Sequence, residues 1–254
     1  MSWTAVVLAG SRPGRDAFAE QFGTDLKALI PIAGEPMVRR PVTALLQSKS
    51  VGKVLVLSQS PDRIAAVLPE DPRIDVQQSQ GSIAEALEQL ILDHDAQFPM
   101  LVTTADHALL DEQMITEFIA RAEGADLALG VVERQSLLDR LPQSKRTWLA
   151  FRGGAYSGAN LFSFGTIKVL AAIEQWRSVE QDRKKGWRVL SALGPMLLLG
   201  AVLRVRTLDQ SVTAIAGRLG LSARAIVLSN PLAAVDVDKP VDHAMVEAIL
   251  GGRA

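Results

Sequence analysis

The sequence predicts a single three-layer α/β/α domain, residues 1–254, with a mostly parallel central sheet. Three observations predict it. Short apolar, β-branched runs alternate with stretches of helical period through the first half. The connections between them are short. The runs are apolar at successive positions, as strands covered on both faces are, rather than alternating polar and apolar.

Thr4–Ala9 reads as the first buried strand, ending at Gly10. Pro36–Gln47 has helical spacing after the turn Ala33-Gly34-Glu35. Lys53–Ser58 is a second buried strand, and Pro61–Leu68 a short helix with proline in its first turn. Ile74–Val76 is a third strand. Ser82–His94 is a helix with Ser82 and Glu85 at capping-box spacing. Met100–Thr104 is a strand, Asp111–Glu123 a helix and Asp126–Val132 a strand. The second half is less regular. Asn160–Phe164 reads as a strand and Thr166–Trp176 as a helix. Ser211–Leu219 is a helix, Ala225–Leu228 and Ala233–Val237 are short strands, and Pro240–Leu250 is a closing helix. Residues 166–220 read as a helical insertion.

Composition narrows the function. Apolar residues at 48% support a sizeable core, and a net charge of -1 argues against a nucleic-acid partner. With no cysteine, thiolate chemistry is excluded, and with three histidines a histidine-rich metal site is not expected. The N-terminus has no basic, cleavable leader pattern and no apolar run is long enough to span a bilayer, so a cytoplasmic protein is expected.

In parallel sheets, ligands bind beyond the carboxyl ends of the strands. The loop Leu8-Ala9-Gly10-Ser11-Arg12-Pro13-Gly14-Arg15 occupies one such end. Its glycines let backbone N–H groups approach phosphates, and its two arginines can add charge-assisted bonds. Lys27 precedes an apolar run ending in Ala33-Gly34-Glu35-Pro36-Met37 and would project toward the same edge. Gly81 and Ser82 open a helix, where they can approach a nucleobase edge or simply cap the helix. Asp106 ends an apolar strand and is either a hard oxygen ligand for a cation or a turn former. Asp236 and Asp238 alternate by two, so on a strand both would face one side.

Together these segments resemble the nucleotidyltransferase superfamily that includes molybdenum cofactor guanylyltransferases and methylerythritol-phosphate cytidylyltransferases. Members carry a Leu-Ala-Gly-Gly loop and a "Lys-x-Leu-x-Pro-x-x-Gly-x-Pro-Met" segment, matched here at Lys27, Leu29, Pro31, Gly34, Pro36 and Met37. Ser11 stands in place of the second glycine, and Arg15 and Lys27 lie twelve positions apart, a longer gap than is usual.

The resemblance implies a nucleotide-diphospho-sugar transferase-like fold and transfer of a nucleotidyl group from an NTP to a phosphorylated small molecule or lipid precursor. The loop would hold the triphosphate, with Lys27 and either Arg12 or Arg15 neutralising charge. Asp106 would hold Mg²⁺, and Asp238 would be the second ligand, with Asp236 left open. Gly81-Ser82 tilts the donor toward CTP over GTP. Lys145, Arg146, Arg152, Tyr156 or Asn160 would meet the acceptor phosphate. A glycosyltransferase on a related fold and a non-catalytic nucleotide-binding regulator are the alternatives. Finally, the basic, tryptophan-bearing segment at 183–188 leads into an apolar run reaching Leu203. It can lie on an anionic membrane surface at the inner face, or be a solvated turn leading into a core or homodimer helix.

Overall fold

The computed structural model describes residues 2–11, 14–92, 97–181 and 205–252. Arg12, His94 and the basic and apolar run at 183–203 lie outside the described residues. The fold is the predicted one, a mostly parallel sheet between two helical layers.

Strand β1 (Trp3–Leu8) lies centrally and pairs in parallel with β4 (Val51–Ser58) on one side and β6 (Met100–Thr104) on the other. Beyond β4 lies β5 (Ile74–Gln78). Beyond β6 the long β9 (Gly154–Phe164) runs antiparallel, flanked by β7 (Leu127–Glu133) and the short β8 (Leu149–Phe151). Strand β10 (Ala223–Val227) closes the β7 edge in parallel. The chain therefore builds outward from β1 in one direction and then crosses to β6. That switch opens a crevice beyond the carboxyl ends of β1 and β6, where such sheets bind ligands.

Alternation along β1 splits the core. Ala5, Val7 and Ala9 pack with α2 (Arg39–Gln47), α5 (Glu112–Ala122) and α9 (Pro240–Leu250), through Val42, Leu45, Met114, Phe118 and Val246. Val6 faces the other layer, with Leu87, Leu90 and Ile91 of α4 (Ile83–Leu92) and Ile173 of α7 (Leu170–Gln181). Residues on both faces of β1 are fully buried, which is why its sequence reads as unbroken apolar. The helix α8 (Leu208–Arg218) opens with a capping box from Thr207 and Gln210.

Several boundaries differ from expectation. The helix expected from Pro36 begins at Arg39, because Pro31–Ile32 (β2) and Glu35–Pro36 (β3) form a small antiparallel hairpin. Its turn places Ala33 at φ 51° and Gly34 at φ 82°, the doubly left-handed pattern of a tight hairpin. The Asp16–Thr24 stretch holds a one-turn helix, α1 (Ala17–Glu20), capped by the Asp16 carboxylate. The short helices α3 (Pro61–Ala65) and α6 (Arg134–Arg140) complete the α-helices among the described residues. The strand expected at Ala233–Val237 is instead a 3₁₀ turn, Pro231–Ala234, capped by Asn230, followed by irregular backbone. Proline at the start of that turn and an asparagine able to bond the Leu232 amide favour a turn over a ladder.

Candidate active site

The Ala105 amide donates to the Leu8 carbonyl at 3.0 Å, so the ends of β1 and β6 and their loops are laid side by side. Above β1, Ala9 is buried and its amide donates to Leu57. The Ser11 amide donates to Gln59 Oε1 at 2.9 Å. A Cβ on Gly10 would come within 3.0 Å of the Gln59 carboxamide, so glycine lets that side chain lie across the loop. Gly14 is in open space at φ 109°, and the Arg15 guanidinium is exposed and pairs with Glu20.

Lys27 sits in a 3₁₀ turn, Lys27–Leu29, gripped by the buried Ala28 and Ile30 and by the Val38 and Met37 amides on their carbonyls. Its ammonium donates to Asp106 Oδ2 at 2.6 Å and to Asp238 Oδ1 at 2.5 Å. Lys27 and Asp106 are largely shielded, with 21% and 18% of their side chains exposed, whereas Asp238 is 61% exposed. The Thr104 hydroxyl donates to Asp106 Oδ1 at 2.5 Å, so each oxygen of Asp106 already accepts one hydrogen bond. The Val237 amide donates to the Asp106 carbonyl at 3.1 Å and docks the Asp238 segment against the end of β6. Burial alone would lower the lysine pKa. The Asp106 charge and the bonds to Asp106 and Asp238 outweigh it, and Lys27 is held above its ordinary value and charged.

Asp236 has a different fate from Asp238. Its two oxygens take the Arg146 guanidinium end-on, and the Asn160 carboxamide donates to Oδ2 at 3.1 Å. Only 13% of the Asp236 side chain is exposed. Burial again opposes the charge on Arg146, but the Asp236 carboxylate keeps its pKa above the usual value. Asn160 itself stands at φ 47°. The ladder between β7 and β9 shifts register there, between Leu129 and Val131. Such a bulge re-aims a side chain, and asparagine is among the few residues that accept the left-handed backbone it needs. Asp236 and Asp238 thus find separate partners, and the shared strand face expected of them does not form.

His107, next to Asp106 in the chain, is fully buried, its Nδ1 3.2 Å from the Thr103 hydroxyl. Burial pushes its pKa down to about 4, helped by Arg146 and resisted by the Asp236 charge and the Ala233 carbonyl, so the ring is neutral. Among the described residues no hydrogen bond of regular geometry reaches its Nε2.

The structure therefore gathers Lys27, Asp106 and Asp238, and separately Arg146, Asn160 and Asp236. It does not add Tyr156 to the second group; that ring packs beside Phe151 with centroids 6.2 Å apart. Gly81, at φ 77°, and Ser82 form a capping box: Glu85 Oε2 accepts the Ser82 amide at 2.8 Å, and Ser82 Oγ accepts the Glu85 amide at 3.3 Å. Arg12 lies outside the described residues. Sequence reading missed Gln59 and Thr104. Both sit at the carboxyl end of an apolar strand, the rule that singled out the first loop.

The donor set suits a small hard cation. Two carboxylates converge on one point, and Mg²⁺ characteristically takes one or two carboxylates plus phosphate oxygens and water. Among the described residues, no cluster of three or more acidic or histidine side chains forms a cage of its own. Nor is any described helix long and apolar enough to cross a membrane.

The MobA-like NTP transferase domain family matches residues 5–196. A hypothetical transferase from Thermus thermophilus is 30% identical, with a TM-score of 0.81 over 96% of this chain and 100% of that one. A 4-diphosphocytidyl-2C-methyl-D-erythritol synthase from Anaerococcus prevotii superposes with a TM-score of 0.63 at 10% identity, covering 98% and 96% of the two chains. A CMP:2-keto-3-deoxy-manno-octonic acid synthetase complexed with CTP gives 0.63 at 13% identity over the full length of both. No curated protein sequence matches the chain.

Proposed function

The chain belongs to the MobA-like NTP transferase domain family and is a nucleotidyltransferase; from that premise we propose that it moves a nucleoside monophosphate from an NTP to a phosphorylated small-molecule or lipid-precursor acceptor. The convergence of Lys27, Asp106 and Asp238 beside the loop after β1 carries the reading.

The triphosphate lies over residues 8–15, where loop amides and one loop arginine, Arg12 or Arg15, meet its oxygens. Lys27 reaches the same oxygens and offsets the charge that builds on the leaving pyrophosphate. Asp106 and Asp238 would hold Mg²⁺, which neutralises and orients the phosphates when bound. Asp236 is not a ligand in this reading, because Arg146 and Asn160 occupy its oxygens. Arg146 and Asn160 face the acceptor, whose phosphate oxygen attacks the α-phosphorus; Tyr156, packed beside Phe151, is left out of that group. The bond from that phosphorus to the bridging oxygen breaks in line, and pyrophosphate leaves with the electron pair. A phosphate monoester is largely deprotonated at neutral pH, so no protein base is required. Catalysis is positioning plus electrostatics.

Gly81 and Ser82, at the head of α4, put CTP first among the donors to test. The experiment is pyrophosphate release from each of the four NTPs with Mg²⁺ against a panel of sugar phosphates, polyol phosphates and lipid-precursor phosphates. Turnover with one pair, abolished in Asp106→Ala, is expected. Undiminished release by Asp106→Ala would sink the metal assignment. Turnover of a nucleotide sugar without pyrophosphate would replace the reading with glycosyl transfer.

A further inference from the structure

A lysine ammonium lies between the two carboxylates that the reading above assigns to a cation. Its nitrogen is 2.6 Å from one aspartate oxygen and 2.5 Å from another, so those oxygens are at most about 5 Å apart. Asp106 has its second oxygen on Thr104. The trio carries one net negative charge. A dication placed between the same oxygens would meet the ammonium at contact distance, and the two cations would repel strongly inside a partly shielded site.

We propose that Lys27 bars the metal site until the nucleotide arrives, so that metal and triphosphate enter together. This rests on the assignment of Asp106 and Asp238 as metal ligands. The exchange has a simple mechanical basis. The turn bearing Lys27 is fixed by buried neighbours on either side and by backbone bonds, so it does not have to move. The four-carbon stem can rotate on it. A departing ammonium needs a new anionic partner, and the loop after β1 is the element that the reading above assigns to the triphosphate. That loop is adjacent to Asp106, because the Ala105 amide is bonded to the Leu8 carbonyl. Triphosphate oxygens there would accept the ammonium and break its bonds to both carboxylates in one step. Metal alone brings no such partner and must compete with an intact double ion pair.

The consequence is an order of binding. A cell rich in Mg²⁺ would not fill the site of the resting enzyme, and the two aspartates would stay neutralised by an internal cation. Lys27 then does two things at different times, covering the carboxylates first and the phosphates afterwards.

The test uses Mn²⁺ on the full chain, with metal alone followed by the loss of its free-ion electron paramagnetic resonance signal and metal with nucleotide followed by protein-retained Mn²⁺ in equilibrium dialysis against a protein-free Mn²⁺–nucleotide control. Wild type should bind Mn²⁺ alone weakly and bind it with CTP or GTP tightly. Lys27→Met and Lys27→Gln should each bind Mn²⁺ alone at least tenfold more tightly than wild type, and adding Asp106→Asn should remove the gain. Equal Mn²⁺ affinity in wild type and both Lys27 variants, lost in every case with Asp106→Asn, would overturn the gate and leave the ligand assignment standing. Mn²⁺–nucleotide binding unaffected by Asp106→Asn and Asp238→Asn would overturn the ligand assignment itself. If neither Lys27 variant folds, the thermal shift of wild type decides. Stabilisation by Mn²⁺ alone as large as by Mn²⁺ with CTP or GTP refutes the gate, and stabilisation only with nucleotide supports it.

Discussion

Replacing Asp126 with asparagine should destabilise the protein by an amount that vanishes in acid. Asp126 immediately precedes β7 and ties three segments together. It accepts from the Thr166 hydroxyl at 2.6 Å and from the Ser222 amide and hydroxyl, both at 2.8 Å. The Ser222 amide and the Thr166 hydroxyl, opposed by burial and aided by the Ser222 hydroxyl and Lys168, draw its pKa from 3.8 down to about 2. The folded value is below the unfolded one. The stabilisation is therefore complete above the unfolded pKa and is lost as pH falls from about 4 to about 2. At ~1.4 kcal/mol per unit the carboxylate contributes about 2.5 kcal/mol at neutral pH, about 1.3 kcal/mol at pH 3 and about 0.4 kcal/mol at pH 2. For a chain of this length the neutral-pH loss is about 5–10 °C of melting temperature. The assay is urea unfolding of wild type and Asp126→Asn at pH 7, 5, 4, 3 and 2.5. His107, whose pKa is about 4, titrates in both proteins and cancels in the difference. A difference below about 0.5 kcal/mol at pH 7, or one constant down to pH 2.5, would refute the reasoning.

Asp236→Ala should cost about 3 kcal/mol in the same assay, because it leaves the shielded Arg146 guanidinium unpaired. Asp238→Ala, at an exposed position, should cost under about 1 kcal/mol, and equal costs would show that the two aspartates are not distinguished as described. Lys27→Met should lower kcat by roughly 10²- to 10³-fold once a donor and acceptor are found, measured as steady-state pyrophosphate release; a change confined to KM would place the lysine in ground-state binding instead. Gly81→Ala forces a Cβ to within 2.2 Å of Glu85 Oε2 at φ 77°, and should lower stability by about 1–3 kcal/mol in thermal unfolding. If Gly81 also touches the base, KM for the NTP rises with it.

Much of the site could be read from the chain because its pieces are local. Leu8–Arg15 follows a buried strand, Asp106 ends another, and Pro240–Leu250 was bounded by its own proline and glycine. Local pattern failed where a distant partner decided the conformation. Ala33 takes a left-handed backbone in a hairpin whose amide is bonded by Glu247 Oε1 at 2.6 Å, from a helix at the far end of the sequence. Ala233–Val237 reads as a strand by composition, yet among the described residues no strand pairs with it.

The sequence by itself determined the alternation of strands and helices, the both-face burial of β1, and the residue types able to hold phosphates and a cation. These follow from apolar periodicity, which each segment carries alone. Tertiary structure decided which carboxylates meet. Lys27 lies 79 positions from Asp106 and 211 from Asp238. They converge because the sheet order sets β6 beside β1 and the returning chain docks Val237 on Asp106. The fates of Asp236 and Asp238 separate for the same reason. Two residues apart on an extended chain, they look equivalent until an arginine from an irregular loop and an asparagine on a strand bulge reach one of them and a lysine reaches the other.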